Sequence, residues 1–352
     1  MSFDLILPFL RPIASLIEDQ DISEIMVNGS GDVFTEKRGQ IERHPDIVIT
    51  QQNLTVAVKT IARLLGDDIS DDKPILDSRL PDGSRVAAVL PPCSVGGITL
   101  TIRKFHNHRW TLAELVHTGA ITQDTVQAIT AAIGDHRNIL ISGGTGTGKT
   151  TMLNALASLI PPDERLVVIE DTAEIQIKAL NLVRLEARRA QETLPAVTIR
   201  DLLKATLRHR PDRIILGEIR GEEAFDLLQA LNTGHSGTLS TIHANNARQA
   251  LSRFSSCVLQ AKVDLPFTAL QTLIADAVHF VLHIERRHAR RYVAELLAID
   301  GYDVHTDTYR THHVYPQETD SLTDLSALSQ ATQDNLDVDV EADIKARLTM
   351  IR

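Results

Sequence analysis

The sequence predicts an α/β protein, a mostly parallel sheet wound with helices, preceded by a smaller α+β domain. Three observations carry this. From Asn138 onward, apolar runs of strand length alternate with stretches of helical spacing, the pattern of a parallel sheet with helical crossovers. A glycine-rich turn, Gly143-Gly144-Thr145-Gly146-Thr147-Gly148-Lys149-Thr150, joins the run Asn138-Ile139-Leu140-Ile141-Ser142 to a helical segment that opens Thr151-Met152-Leu153. Ahead of it, short apolar runs are punctuated by turn signals such as Asn28-Gly29, which read as hairpins.

Taken in order, residues 1–20 fit a short amphipathic helix. Residues 22–29 read as a strand reaching the Asn-Gly turn, 33–36 as a second strand and 37–40 as a second turn. Residues 53–65 have helical spacing, with Leu54, Val58, Ile61, Leu64 and Leu65 on one face. The stretches 74–80 and 82–85 precede a strand at 86–90 that Pro91-Pro92 stops, and 98–103 is another strand. These make an α+β domain over residues 1–105. The polar run His106-Asn107-His108-Arg109 opens a linker, 106–121, in which Thr111 caps a short helix through Val116.

The sheet domain spans 122–315. It starts with a helix at 122–133. Strands are expected at 166–170, 213–216, 238–242 and 279–284, and helices at 200–208, 222–231 and 247–260. In such sheets ligands bind at the carboxyl ends of strands, where the glycine-rich turn falls. After residue 316 the pattern fades. Residues 317–352 carry eight acids and three bases, net −5, with few large apolar residues before Ile344. They read as an acidic, disordered tail, with a final short helix as the other reading.

Composition narrows the function classes. Hydrophobic residues at 43% and charged residues at 23% are ordinary for a globular chain. The net charge of −10 argues against broad attraction to nucleic acid or anionic lipid. Aromatics at 4%, with the single Trp110, argue against base-stacking platforms, so no stable nucleic-acid binding is expected. Cys93 and Cys257 lie too far apart to suggest a disulfide framework or metal site, and both read as small buried residues. The N-terminus lacks a basic leader and a small-residue cleavage site, and no segment approaches the roughly 18 apolar residues of a membrane span. A cytoplasmic protein is expected.

The turn from Gly143 to Thr150 fits the phosphate-loop pattern in its required strand-and-helix context. Backbone N–H groups can crowd a polyphosphate only where no Cβ intrudes, hence the glycines. The N–H groups at the start of the following helix, Thr151 among them, face the same phosphates. Lys149 supplies charge for the β- and γ-phosphates of ATP, and the Thr150 hydroxyl suits a Mg²⁺ shell.

Three further stretches can complete such a site. The apolar run 166–169 ends in Glu170-Asp171-Thr172-Ala173-Glu174, carboxylates placed to hold Mg²⁺ or its waters, with helix-start capping as the other reading of Glu174. The run 213–216 leads to Gly217-Glu218. Glu218 suits a general base or an orienter of the attacking water and a metal-shell contact, against a salt bridge with Arg220 or Arg213. Gly217 stands where many phosphate-loop enzymes place a metal-binding Asp. His243 closes Ser240-Thr241-Ile242-His243, where it can sense a γ-phosphate or be a core histidine.

In these motifs the chain resembles the type II/type IV secretion traffic ATPases, most closely their conjugal-transfer and type IV secretion branch. The resemblance covers residues 20–300. It rests on the phosphate loop, Ile169-Glu170-Asp171-Thr172-Ala173-Glu174, the run from Leu207 to Gly221, Thr233-Gly234-His235-Ser236-Gly237 and the stretch from Ser240 to Asn245. It implies a RecA-like P-loop NTPase domain and Mg²⁺-dependent ATP hydrolysis. It also implies an acidic box at Glu170, Asp171 and Glu174, an atypical Walker B motif ending at Glu218, and a histidine box containing His235 and His243. Beyond the subunit, it implies a homohexameric ring serving inner-membrane components of a secretion or conjugation machine, with a pilus assembly or retraction motor as the alternative and a nucleic-acid translocase as a further one. ATP would lie between the two domains of a subunit, and arginines of the N-terminal domain would reach its γ-phosphate. Arg85 and Arg103 occupy the matching stretches, against a reading as surface charges on edge strands. The chain departs from the family in lacking a four-cysteine metal motif and a clear Ala-Ile-Arg-Asn-Leu-type C-terminal motif.

Two basic stretches remain. Residues 284–291, from Ile284-Glu285 through Arg286-Arg287 to Arg290-Arg291, read as a solvated hairpin tip, or as a docking surface for an inner-membrane partner or anionic lipid at the membrane periphery. Arg184, Arg188 and Arg189 are candidates for a subunit-interface arginine acting in trans.

Overall fold

A computed structural model describes residue 8 and residues 10–316, apart from 38, 81, 106–108, 189, 191–193 and 288–289. The expectations for the first seven residues, for 106–108 of the linker, for Arg189 and for the acidic tail 317–352 lie outside the described residues.

The chain divides into two compact units that do not follow sequence order. One comprises Met1–Glu114, Thr150–Glu218 and Arg286–Arg291; the other comprises Leu115–Lys149, Ile219–Glu285 and Tyr292–Arg352.

The first unit opens with a 3-10 turn, Arg11–Ile13, and a short helix α1, Ala14–Glu18, which bury Leu10, Ile13, Leu16 and Ile17. An antiparallel sheet follows. Its strands are β1 (Ile22–Val27), β2 (Val33–Lys37), β3 (Gln40–Arg43), β4 (Ile75–Arg79), β5 (Arg85–Val89) and β6 (Thr99–Arg103), in the order β3-β2-β1-β6-β5-β4. Helix α2, Gln51–Leu64, starts two residues before its expected position because Thr50 caps it, accepting the Asn53 N–H at 3.3 Å. Its Leu54, Val58 and Ile61 join Ile25, Leu76, Leu100 and Ile102 in one core, all at 0% exposure. Strands β3 and β4 were not expected from the sequence. Every residue of β3 is exposed, so it carries no apolar alternation to read.

Also in the first unit, β8 (Leu166–Glu170), β9 (Leu182–Glu186) and β10 (Arg213–Ile219) run parallel, Val167 pairing with Val183 and with Ile214. Helix α6, Ile199–Thr206, packs on β8 and β9 and starts at a capping box between Thr198 and Asp201. Arg213, wholly buried, gives Nε and Nη2 to Glu164, the latter at 2.9 Å. The expected alternative pairing of Arg213 with Glu218 is therefore replaced by Arg213–Glu164.

The second unit holds α3 (Leu112–His117), which begins in the first, and α4 (Gln123–Gly134), both capped where expected, by Thr111 and Thr122. It continues with β7 (Ile139–Gly143), α7 (Glu223–Asn232), β11 (Leu239–His243), α8 (Ala247–Gln260), α9 (Phe267–Ala277), β12 (Phe280–Arg287), β13 (Arg290–Asp303) and β14 (Thr308–Tyr315). Strand β7 is parallel to β11 on one side and to β12 on the other. Within this unit the strand order is β14-β13-β12-β7-β11, and within the first it is β10-β8-β9, each a mixed α/β arrangement with parallel pairs. Helix α9 and strands β9 and β14 go beyond the expected set. Cys257 is buried as expected, but Cys93 is exposed, in the turn after Pro91-Pro92.

Candidate functional site

The phosphate-loop residues assemble where β7 ends. Strand β7 is buried at every position, and Gly143 closes it. A Cβ on Gly143 would lie 2.6 Å from the Ile284 carbonyl oxygen and 2.6 Å from Thr147 Oγ1, so only glycine fits. Thr147 Oγ1 donates to the Gly144 carbonyl at 3.0 Å, and Gly146 and Gly148 turn the chain at φ +71° and +94°. The chain then enters helix α5, Lys149–Ala157, whose second and third residues are Thr150 and Thr151.

Lys149 is the charge at the centre of this loop. Its Nζ donates to the carbonyls of Gly143 (3.1 Å) and Gly144 (2.9 Å), and its residue is 8% exposed. The His243 ring lies beside it, with nitrogens 3.3 and 3.4 Å from Nζ. The ladder explains the meeting: β11 pairs with β7 so that His243 falls opposite Gly143. His243 is exposed, so its reading as a core histidine does not hold. His235 follows α7, half-buried, and its buried Nδ1 has no hydrogen-bond partner among the described residues.

The acidic stretch forms a second group, within the first unit. Glu170, 3% exposed, ends β8. Its Oε1 accepts the N–H groups of Glu174 (2.8 Å) and Ile175 (2.7 Å), and Arg184 Nη2 lies 3.7 Å from Oε2. Burial pushes this carboxyl above its ordinary range, against the opposing pull of those amides and of Arg184. No helix starts at Glu174, which rules out the capping reading. Gly217 on β10 lies against Glu170: a Cβ there would meet Glu170 Cγ at 3.1 Å. This accounts for a glycine where many phosphate-loop enzymes place an Asp, since the Glu170 side chain from the next strand fills that space. Asp171 and Glu218 are half-buried.

Arginines line up beside this group. In the antiparallel sheet Arg79 is opposite Arg85, Arg85 opposite Arg103, and Arg103 opposite Glu24. Like charges directly opposite one another are unfavourable without anions to hold them. Carboxylates do so here. Arg85 lies 3.6 Å from Asp77 and 3.8 Å from Glu174; Arg79 lies 3.3 Å from Glu186; Arg103 lies 3.7 Å from Glu24. Strands β5 and β6 are interior, so Arg85 and Arg103 are not edge-strand charges. Arg79 escaped the sequence reading. Its place in the row depends on a strand pairing that its own neighbourhood does not encode. The buried His283, bonded to Ser142 just ahead of the loop, escaped it too.

Among the described residues no three histidine, cysteine or carboxylate side chains converge as a metal cage. The hard oxygens of Thr150, Glu170, Asp171 and Glu218 are of the type Mg²⁺ accepts, with phosphate oxygens supplying further ligands.

A glycine loop at the end of a buried parallel strand, with its lysine on the first turn of a helix, defines a P-loop protein of the RecA-like α/β class. The chain belongs to the family described as Type II/IV secretion system protein, whose model matches residues 10–319. It is similar to a conjugal transfer protein, TrbB, of Rhizobium radiobacter, 39% identical over 312 residues, covering 87% of this chain and 91% of that one. It is also similar to a type IV secretion system protein PtlH homolog of Bordetella bronchiseptica, 37% identical over 325 residues, covering 83% and 94%. Its fold is that of the Legionella pneumophila ATPase DotB, with a TM-score of 0.59 at 20% identity over 83% of this chain and 80% of that one. No helix among the described residues is long and apolar enough to cross a membrane.

Proposed function

We propose that this chain is a Mg²⁺-dependent ATPase that works as a homohexameric ring and powers a conjugal-transfer or type IV secretion apparatus. The observation that carries most weight is Lys149, held by the carbonyls of its own glycine loop with His243 at its side. Lys149, with Gly143, Gly144, Thr145, Gly146, Thr147, Gly148, Thr150 and Thr151, binds the phosphates. The Thr150 hydroxyl holds the metal, with Glu170, Asp171 and Glu218 acting directly or through water. The ion supplies charge neutralisation on the phosphate oxygens. Glu218 orients or deprotonates the attacking water, Glu174 assists from the acidic box, and His243 senses the γ-phosphate. Arg85 and Arg103 tie an N-terminal domain of residues 1–105 to that phosphate, so that hydrolysis releases it about a linker at 106–121. The ATPase domain takes 122–315 and the acidic tail 316–352.

The names of the relatives support a conjugation or secretion setting over a pilus motor. The proposed partners are inner-membrane components of that machine. Its place is cytoplasmic, peripheral to the inner face of the membrane, with the exposed Arg287, Arg290 and Arg291 as the contact. Phosphate release from MgATP tests the reading. Wild-type protein should turn over, and Lys149→Ala should lose at least about 100-fold of the rate. Equal turnover in both would refute the assignment.

A further inference from the structure

Below the phosphate loop lies a polar pair that none of these roles uses. Ser142 is the last residue before Gly143 and is 0% exposed; His283 is 1% exposed. Ser142 Oγ and His283 Nδ1 share a hydrogen bond of 2.9 Å, across 141 residues of sequence. The pairing of β12 with β7 brings them together, His283 opposite Ser142 and Ile284 opposite Gly143. A wholly buried hydroxyl and imidazole in this apolar sheet are costly unless they satisfy each other.

The position of the pair is what makes it informative. One step along the same ladder, the Ile284 carbonyl occupies the space beside Gly143 that excludes any Cβ. The carbonyls of Gly143 and Gly144 then hold Lys149. The separation of β7 from β12 thus sets where the first two peptide groups of the loop sit, and with them the lysine. A side-chain bond one rung before the last adds a second tie where the strand ends and the loop begins. Ile242, the neighbour of Ser142 on the β11 side, can offer no such bond.

We infer that His283 is a positioning residue for the phosphate loop, tying Ser142 so that Gly143, Gly144 and Lys149 are held in phosphate-binding geometry. Burial lowers the proton affinity of the ring, and Lys149 acts in the same direction against Glu295 and Glu285. The inference rests on the ATP-binding reading of the loop and adds to it a residue from a distant strand.

Asparagine and leucine share a shape, and asparagine places a polar atom where Nδ1 stands. In the full-length protein, His283→Leu should weaken binding of a fluorescent ATP analogue with Mg²⁺ by about tenfold, because the loop must then be ordered at the expense of binding. It should also speed amide hydrogen exchange across residues 143–149. His283→Asn should restore both to within about threefold of wild type. Adding Ser142→Ala to His283→Leu should cost nothing more, since the partner is already lost. The inference is overturned if His283→Leu binds and exchanges as wild type does, if His283→Asn fails as badly as leucine, or if the two losses add. Exchange is read without nucleotide, so a wild-type protein that binds no ATP would refute the functional reading while the exchange pattern still decides the tie.

Discussion

Arg213 shows how much one side chain can carry away from any reaction. It is among the largest fully buried residues, and it pairs with Glu164, whose side chain is 13% exposed. Removing one member of such a pair leaves the other charge uncompensated in a low dielectric. Arg213→Ala should therefore cost about 3 kcal/mol, read as a lower denaturant midpoint. Replacing both, as Arg213→Met with Glu164→Leu, should recover most of that loss, because the pair's attraction largely offsets its desolvation. At the same scale, Gly217 was legible as a departure from the usual Asp, but its reason was not. The reason is the Glu170 Cγ on the neighbouring strand, 3.1 Å from where a side chain would start.

Among the elements, β12 couples the sheet to pH. His279 stands just before it and accepts the Asn138 N–H through Nδ1 at 3.0 Å; His283 lies within it, bonded to Ser142. Burial holds both rings below the ordinary histidine value, Arg137 adding to the effect at His279. The unfolded chain then binds more protons than the native one below about pH 6.5, and stability rises with pH there. The contribution is complete above about 6.5 and is lost as pH falls from that value toward the lowered native ones. Thermal unfolding from pH 7.5 down to 5.5 should show this decline, and His279→Asn should reduce it. A decline of equal slope in the variant would assign the effect to other groups. Helices were legible where the capping threonine was read, at Thr111 and Thr122, whereas Thr50 and Thr198, which cap in the same way, set two starts slightly ahead of the expected ones. Strand β3 was hidden because all four of its residues face water.

For the whole molecule, a ring of six is proposed from family membership. Mass measurement in solution should give six times 38.8 kDa, with MgATP favouring the assembly. A monomer under all nucleotide conditions would overturn the ring.

The amino-acid sequence by itself determined the glycine loop, the strand and helix that flank it, the acidic stretch and the alternation of strands with helices from Asn138 onward. Each of these is written in residues near one another, where spacing and side-chain type act directly. The tertiary structure alone decided that Arg79, Arg85 and Arg103 form one row, that Glu170 fills the space at Gly217, and that His283 reaches Ser142. Those meetings come from strand register between distant segments, which is set by the packing of the whole core rather than by any local pattern.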